Sequence, residues 1–197
     1  MSYSRSIRIP AARIGVLIGR KGSTKKAIEE ACGVSVRVDS RSGEVAIESS
    51  AGDVLTAQPF KAAEIVTAIG RGFSEGNAML LTDDRFRLHV MDLREFAGKS
   101  GSSLERIRGR VIGENGRARR NIEQLSRSHI SVYGKTVSII GEENRLRAVV
   151  SAVNSLLTGG MHATAYGRLE AANRRERMDR MLLWEGQQIG ELSLIHI

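Results

Sequence analysis

The sequence predicts a mixed α/β fold made of two copies of one unit, strand–helix–helix–strand–strand–helix. Each copy is expected to be a three-stranded sheet packed on three helices, and a further helix follows the second copy. Three observations predict this. Two glycine pairs, Gly19/Gly22 and Gly113/Gly116, recur at an offset of 94 residues. Each pair stands after an apolar pair and before a basic, helix-like run, "VLIGRKGSTKKAIEE" and "RVIGENGRARRNIEQ". Beyond each pair come two short alternating segments and then a long segment of helical period.

In the first copy, "SRSIRI" (Ser4 to Ile9) alternates as a strand, with Ile7 and Ile9 on one face. Pro10 suits a helix start because its φ is fixed. Ile14, Leu17 and Ile18 follow at helical spacing, Ser23 can cap the next helix, and Gly33 can end it. "VSVRV" and "EVAIE" read as strands around the polar loop "DSRSG". A helix is expected over Asp53 to Arg71, with Pro59 kinking it or delaying its start. Its apolar face is Ala62, Ile65, Val66 and Ile69.

The second copy repeats the order. "RFRLHVMDL" (Arg85 to Leu93) is a strand, and Leu104, Ile107 and Val111 mark the helix before Gly113. Ala118, Ile122 and Leu125 mark the helix after Gly116. "HISVY" and "TVSII" form a hairpin on a Gly134-Lys135 type II′ turn. Leu146, Val149, Val150, Val153 and Leu157 line the last helix, which ends at Gly159-Gly160. The expected boundaries are therefore 1–71 for the first domain, 72–84 for a linker, 85–160 for the second domain and 161–184 for the C-terminal helix. The tail, 185–197, ends in "ELSLIHI", which breaks the pattern; it is set aside as a candidate cloning scar.

Composition narrows the function. The chain carries a formal charge of +8 and a pI near 10.2, which favours polyanionic partners. Aromatics are 4%, too few for a sheet paved with base-stacking rings. Cys32 is the single cysteine, so an internal disulfide is ruled out and a core position is expected. No apolar run approaches a membrane span, and "MSYSRSIRIP" lacks a secretory apolar region, so a cytoplasmic setting is expected.

A GxxG loop between two helices lets a nucleic-acid backbone approach closely. The helix that follows points its free N–H groups and positive end at the same spot. This is the clamp of the KH module, which holds four nucleotides. In this frame the fold is two tandem type I KH domains plus a C-terminal helix. The expected RNA-binding residues are Gly19, Arg20, Lys21 and Gly22 in the first loop, with Ile14, Ile18 and Ile28 lining its groove. In the second they are Gly113, Glu114, Asn115 and Gly116, with Arg108, Arg110, Arg117 and Arg120 beside the loop and Val111, Ile112 and Ile122 in the groove. Glu114 would repel a phosphate. Between Arg94 and Arg127, however, nine cations face four acids, a local net of +5. The second clamp is therefore expected to work with Glu114 turned to solvent. The two modules are expected side by side as a pseudo-twofold pair.

"DLREFAGKSGSSLERIRGR" and "RVIGENGRARRNIEQLSRSHISVYGKTVSIIG" are more particular than a generic KH pattern. They resemble the archaeal two-KH ribosome-assembly factor, whose eukaryotic relatives are the Dim-two, or partner-of-Nob, proteins. The resemblance runs from Ser4 to about Trp184. It implies a non-enzymatic RNA-binding protein of small-subunit maturation, acting near the 3′ end of the small-subunit rRNA with a Nob-type endonuclease. It also implies a link to the alpha subunit of initiation factor two. By position it assigns RNA contact to Gly113, Gly116, Arg110, Arg117 and Arg120, and to Gly19, Arg20, Lys21 and Gly22. Glu114 departs from the basic residue expected in such a loop. No cofactor or metal is implied.

The residues leave other readings open. KH frames serve RNA decay and translation control with the same chemistry, and a KH pair can act as a protein-binding adapter. A metal-dependent nuclease would need a carboxylate cluster. Asp83, Asp84 and Asp92 are the nearest approach to one, and His89, His129, His162 and His196 have no ligand spacing.

Overall fold

The computed structural model describes residues 3–49, 57–98 and 101–193, with the backbone path alone for residue 3 and for 183–193. The first unit contains β1 (Tyr3–Arg8), α1 (Ala11–Ile18), α2 (Ser23–Cys32), β2 (Ser35–Val38), β3 (Glu44–Ser49) and α3 (Pro59–Gly70). A short α4 (Glu75–Met79) follows. The second unit contains β4 (Phe86–Asp92), α5 (Arg94–Ala97), α6 (Gly101–Ile112), α7 (Arg117–Ser126), β5 (His129–Tyr133), β6 (Thr136–Glu142) and α8 (Glu143–Leu157). The last helix is α9 (His162–Ser193).

Both sheets are three-stranded and antiparallel, in the orders β1-β3-β2 and β4-β6-β5. Alternation sets their registers. Val36 faces Ile47 and Val38 faces Val45 in the first sheet; Ile130 faces Ile139 and Val132 faces Val137 in the second. These residues point at the helices of their own unit, and Val36, Ile47, Val137 and Ile139 are fully buried. The hairpin from Tyr133 to Thr136 has positive φ at Gly134 and not at Lys135, as a type II′ turn requires.

Four details differ from the sequence expectation. First, of the two outcomes expected of Pro59 the delayed start is the one found: α3 begins at Pro59 and not at Asp53, because proline fits the first helical position and cannot continue a ladder behind it. Ala57 and Gln58 lie outside the helix, and 53–56 lie outside the described residues. Second, residues 72–84, read as a linker, carry α4 and a 3₁₀ turn at Leu80–Thr82, and they bury Phe73, Ala78 and Leu81 in the first core. Ser74 caps α4 by accepting from the Asn77 N–H. Third, α9 runs past Trp184 to Ser193 in one helix.

Fourth, the units are not related by a twofold axis. Ile140 lies on the face of the second sheet that points away from its own helices, yet it is fully buried in the first core, beside half-buried Phe86 and Leu88. Thr136 and Ser138 on the same face are also buried. The matching face of the first sheet is polar and exposed, with Arg37 paired to Glu48 and Ser6 donating to Glu44. One unit therefore offers a sheet face and the other its helical side, a heterologous contact. Arg13 fastens the seam. Its guanidinium donates to the carbonyls of Ile69 (2.8 Å) and Phe73 and lies 5.9 Å from the Tyr133 ring centre. Ser131 donates to the Arg71 carbonyl at 2.8 Å.

Among the described residues, no helix is long and apolar enough to cross a membrane. Cys32 is buried in the first core, and burial pushes its thiol pKa up.

Candidate nucleic-acid interface

The two GxxG loops share one backbone. Gly19 and Gly113 have φ/ψ of 73/−179° and 71/176°, and Gly22 and Gly116 have 82/14° and 75/15°. Between them Lys21 (52/30°) and Asn115 (50/27°) are left-handed as well. The hydrogen bonds repeat: Gly19 N–H to Gly15 O and Gly113 N–H to Gly109 O, at 3.0 and 2.7 Å. The glycines are not equivalent within a loop. A Cβ on Gly113 would stand 2.7 Å from the Ala118 nitrogen, and one on Gly19 would stand 2.7 Å from the Thr24 nitrogen. A Cβ on Gly22 would meet nothing within 4 Å, and one on Gly116 would meet only the Arg120 side chain. The first glycine thus lets the loop fold back onto the next helix, and the second permits a left-handed turn beneath open space.

Ser23 does not cap α2. Gly22 holds the cap position, and neither α2 nor α7 has a side-chain cap hydrogen bond. The first-turn N–H groups of both helices are left without a side-chain acceptor, which suits an incoming anion. The starts differ in one respect. Buried Thr24 donates its hydroxyl to Glu75 of α4 at 2.8 Å, so a carboxylate already sits beside the start of α2. Ala118 stands at the equivalent position in α7 and has no side chain to make such a bond.

The expected residues fall into three groups. Arg20, Lys21, Glu114, Asn115, Arg117 and Arg120 are exposed around the loops. Arg120 also donates to the Asn115 carbonyl at 2.7 Å, bracing the turn. Ile18 and Ile112, the last residues before the glycines, are half-buried and can offer apolar surface to a base. The rest are placed otherwise. Leu17, Ile28, Val111 and Ile122 are fully buried and Ile14 is nearly so, because their helical spacing turns them onto the sheets. Expecting Ile14, Ile28, Val111 and Ile122 to touch bases therefore needs correction: they support the groove from beneath. Arg110 donates to the Gly159 and Gly160 carbonyls at 2.7 and 3.1 Å, and its own carbonyl is 2.8 Å from His162 Nε2. It ties α6 to the α8–α9 corner instead of facing the loop. Arg108 is half-buried, and its Nε has no hydrogen-bond partner.

One element of the groove went unnoticed in the sequence. Glu29 accepts from the Val36 N–H and Glu123 from the Ile130 N–H, each at 2.8 Å. Each glutamate anchors a helix to the edge strand of its sheet, closing the groove wall. The two glutamates obey the same 94-residue offset as the glycines, so the repeat contained the signal. The acids considered as metal ligands are each held by a cation: Asp83 by Arg85, Asp84 by Lys61 and Asp92 by Arg94. The guanidinium hydrogen bonds and the partner's backbone N–H hold the Asp83 and Asp92 carboxyls down at about 2.

Two units of βααββα order, the second with the short α5 added after its first strand, each with a GxxG turn between the two helices that precede its second strand (α1 and α2, α6 and α7), define a tandem type I KH protein. Residues 87–174 match the eukaryotic-type KH domain (KH-domain type I), and residues 4–59 match the KH domain family. A KH domain-containing protein of Methanocaldococcus jannaschii is 41% identical over 179 residues, spanning 91% of this chain and 78% of its own length. The pre-rRNA-processing protein pno1 of Emericella nidulans is 29% identical over 88% of this chain and 69% of its own length. Dim2p of Pyrococcus horikoshii, in a crystal structure with eIF2alpha and rRNA, superposes with a TM-score of 0.78 at 39% identity, covering 89% of this chain and 95% of that one. The chain belongs to the PNO1/Dim2 family of two-KH-domain proteins.

Proposed function

We propose that this protein is a non-catalytic RNA-binding assembly factor of the small ribosomal subunit, holding single-stranded rRNA near its 3′ end. The observation that carries the reading is the second loop. Its backbone matches the first loop within a few degrees although Glu114 and Asn115 replace two cations. A phosphate at the α7 start would meet a helix end that no side chain caps, with Arg117 and Arg120 on the same helix turn. The names of the relatives, a pre-rRNA-processing protein and a Dim2p solved with rRNA, support this direction. The first loop, with exposed Arg20 and Lys21, adds a second and less selective contact. We assign a Nob-type endonuclease and the alpha subunit of initiation factor two as protein partners, the latter supported by the Pyrococcus horikoshii complex.

The test is binding to a short single-stranded RNA copying the rRNA 3′ end, against a scrambled strand, at two salt concentrations. The proposal expects tighter binding to the copy and a steep loss with salt, about 0.7 in log–log slope for each phosphate held. Equal affinity for both strands would overturn the rRNA assignment.

A further inference from the structure

Along α7 the two modules part company. Arg120, Gln124 and Arg127 recur at i, i+4 and i+7, on one face of the helix, and His129 follows at the start of β5. With Glu123 and Ser128 they line an open notch of about 460 Å³. At the 94-residue offset the first module has Lys26, Glu30, Gly33 and Ser35, a stripe of no net charge. The notch is continuous with the second loop, since Arg120 lines it and also reaches the Asn115 carbonyl. Its one acid is engaged: Glu123 accepts from the Ile130 N–H at 2.8 Å and lies 3.9 Å from Arg119. Among the described residues, no carboxylate forms an ion pair with Arg120 or Arg127.

Arg127 is the telling residue. It ends α7 in the left-handed region, φ 53° and ψ 38°, with its N–H on the Glu123 carbonyl. Gly33 ends α2 in the same conformation, φ 62° and ψ 39°, with the same bond to Glu29. Glycine is the residue this position favours, and a residue with a Cβ there is strained. Local structure gives no reason for arginine; a ligand for its exposed guanidinium does.

Resting on the RNA-binding reading above, we infer that Arg120, Gln124, Arg127 and His129 form a phosphate-contacting notch that carries single-stranded RNA past the four nucleotides of the second groove. The helix spans about 16 Å from Gly116 to Arg127, so a strand leaving the loop along this face stays in reach of cations throughout. Gln124 and His129 offer neutral hydrogen bonds between the two arginines.

Arg127→Gly separates a binding role from a structural one, because it installs the residue the backbone prefers. Gln124→Glu is the second variant, copying the first module's acid. Each is titrated with a tetranucleotide and a dodecanucleotide copying the rRNA 3′ end. The expected result is that both variants bind the dodecanucleotide three- to tenfold more weakly, Arg127→Gly with a salt slope shallower by about 0.7, and that both bind the tetranucleotide like wild type. If both variants bind the dodecanucleotide like wild type, the notch is overturned while the groove stands. If wild type binds neither RNA, the RNA-binding reading itself falls, and the notch with it.

Discussion

Glu114 sits in a loop whose shape does not depend on it. The glycines and left-handed Asn115 set the backbone, and the Glu114 side chain is exposed. Glu114→Lys should therefore leave folding unchanged and raise RNA affinity about three- to tenfold, the scale of one exposed charge contact; unchanged affinity would place the phosphates elsewhere. The glycines separate differently. Gly113→Ala puts a Cβ against backbone at 2.7 Å in a conformation reserved for glycine, and should cost more than about 2 kcal/mol. Gly116→Ala meets only a side chain and should cost about 1 kcal/mol. Urea denaturation ranks the two. Asp83 and Asp92 set an acid limb. Their folded values near 2 lie below the ordinary carboxylate value of about 4. Their contribution is thus complete above about pH 4 and is lost as pH falls through 2. An Asp83→Asn/Asp92→Asn variant should show a shallower fall in melting temperature between pH 4 and 2 than wild type. An equal fall would mean these pairs are not what titrates. At this scale the sequence was legible where glycine and charge mark a turn. It was misleading where an apolar residue could face either base or sheet, since periodicity alone does not say which side of a helix is the groove.

The elements were legible because each carries its own period and its own stop signal. Alternating Val36/Val38 and Ile130/Val132 gave the strands, and Gly33 and the Gly159 corner ended helices where expected. α4 was missed because five residues are too few to show a helical period; only Ser74 before Glu75 hinted at it. Whether α9 braces or docks was open in the sequence. Its first half braces: Ala165 and Leu169 are buried in the second core, Asn173 donates to the Leu125 carbonyl at 2.6 Å, and Glu176 pairs with Arg145 at 2.7 Å. Leu169→Ala should accordingly cost about 2–4 kcal/mol, read from the urea midpoint. A neutral result would show α9 to be an appendage.

At the scale of the molecule, the first unit covers much of the outer face of the second sheet: Thr136, Ser138 and Ile140 are buried there, and Val90 remains exposed at its edge. That was illegible because the pattern of β6, "TVSII", fits an exposed outer face as well as a covered one; only Ile140, apolar on the outer side, departs from it. The seam makes the two KH units one cooperative body. Ile140→Ala should remove hydrogen-exchange protection from α3 as well as from β4 and β6, and loss confined to the second unit would contradict a shared core. The central claim is that the second clamp holds RNA despite its acid. Gly22→Asp and Gly116→Asp test it most directly, since both positions tolerate a side chain sterically. Each is titrated with the rRNA 3′-end strand. The account predicts that Gly116→Asp loses most of the binding and Gly22→Asp a smaller part. Wild-type affinity in Gly116→Asp, with binding lost in Gly22→Asp, would contradict it and leave the first loop as the clamp.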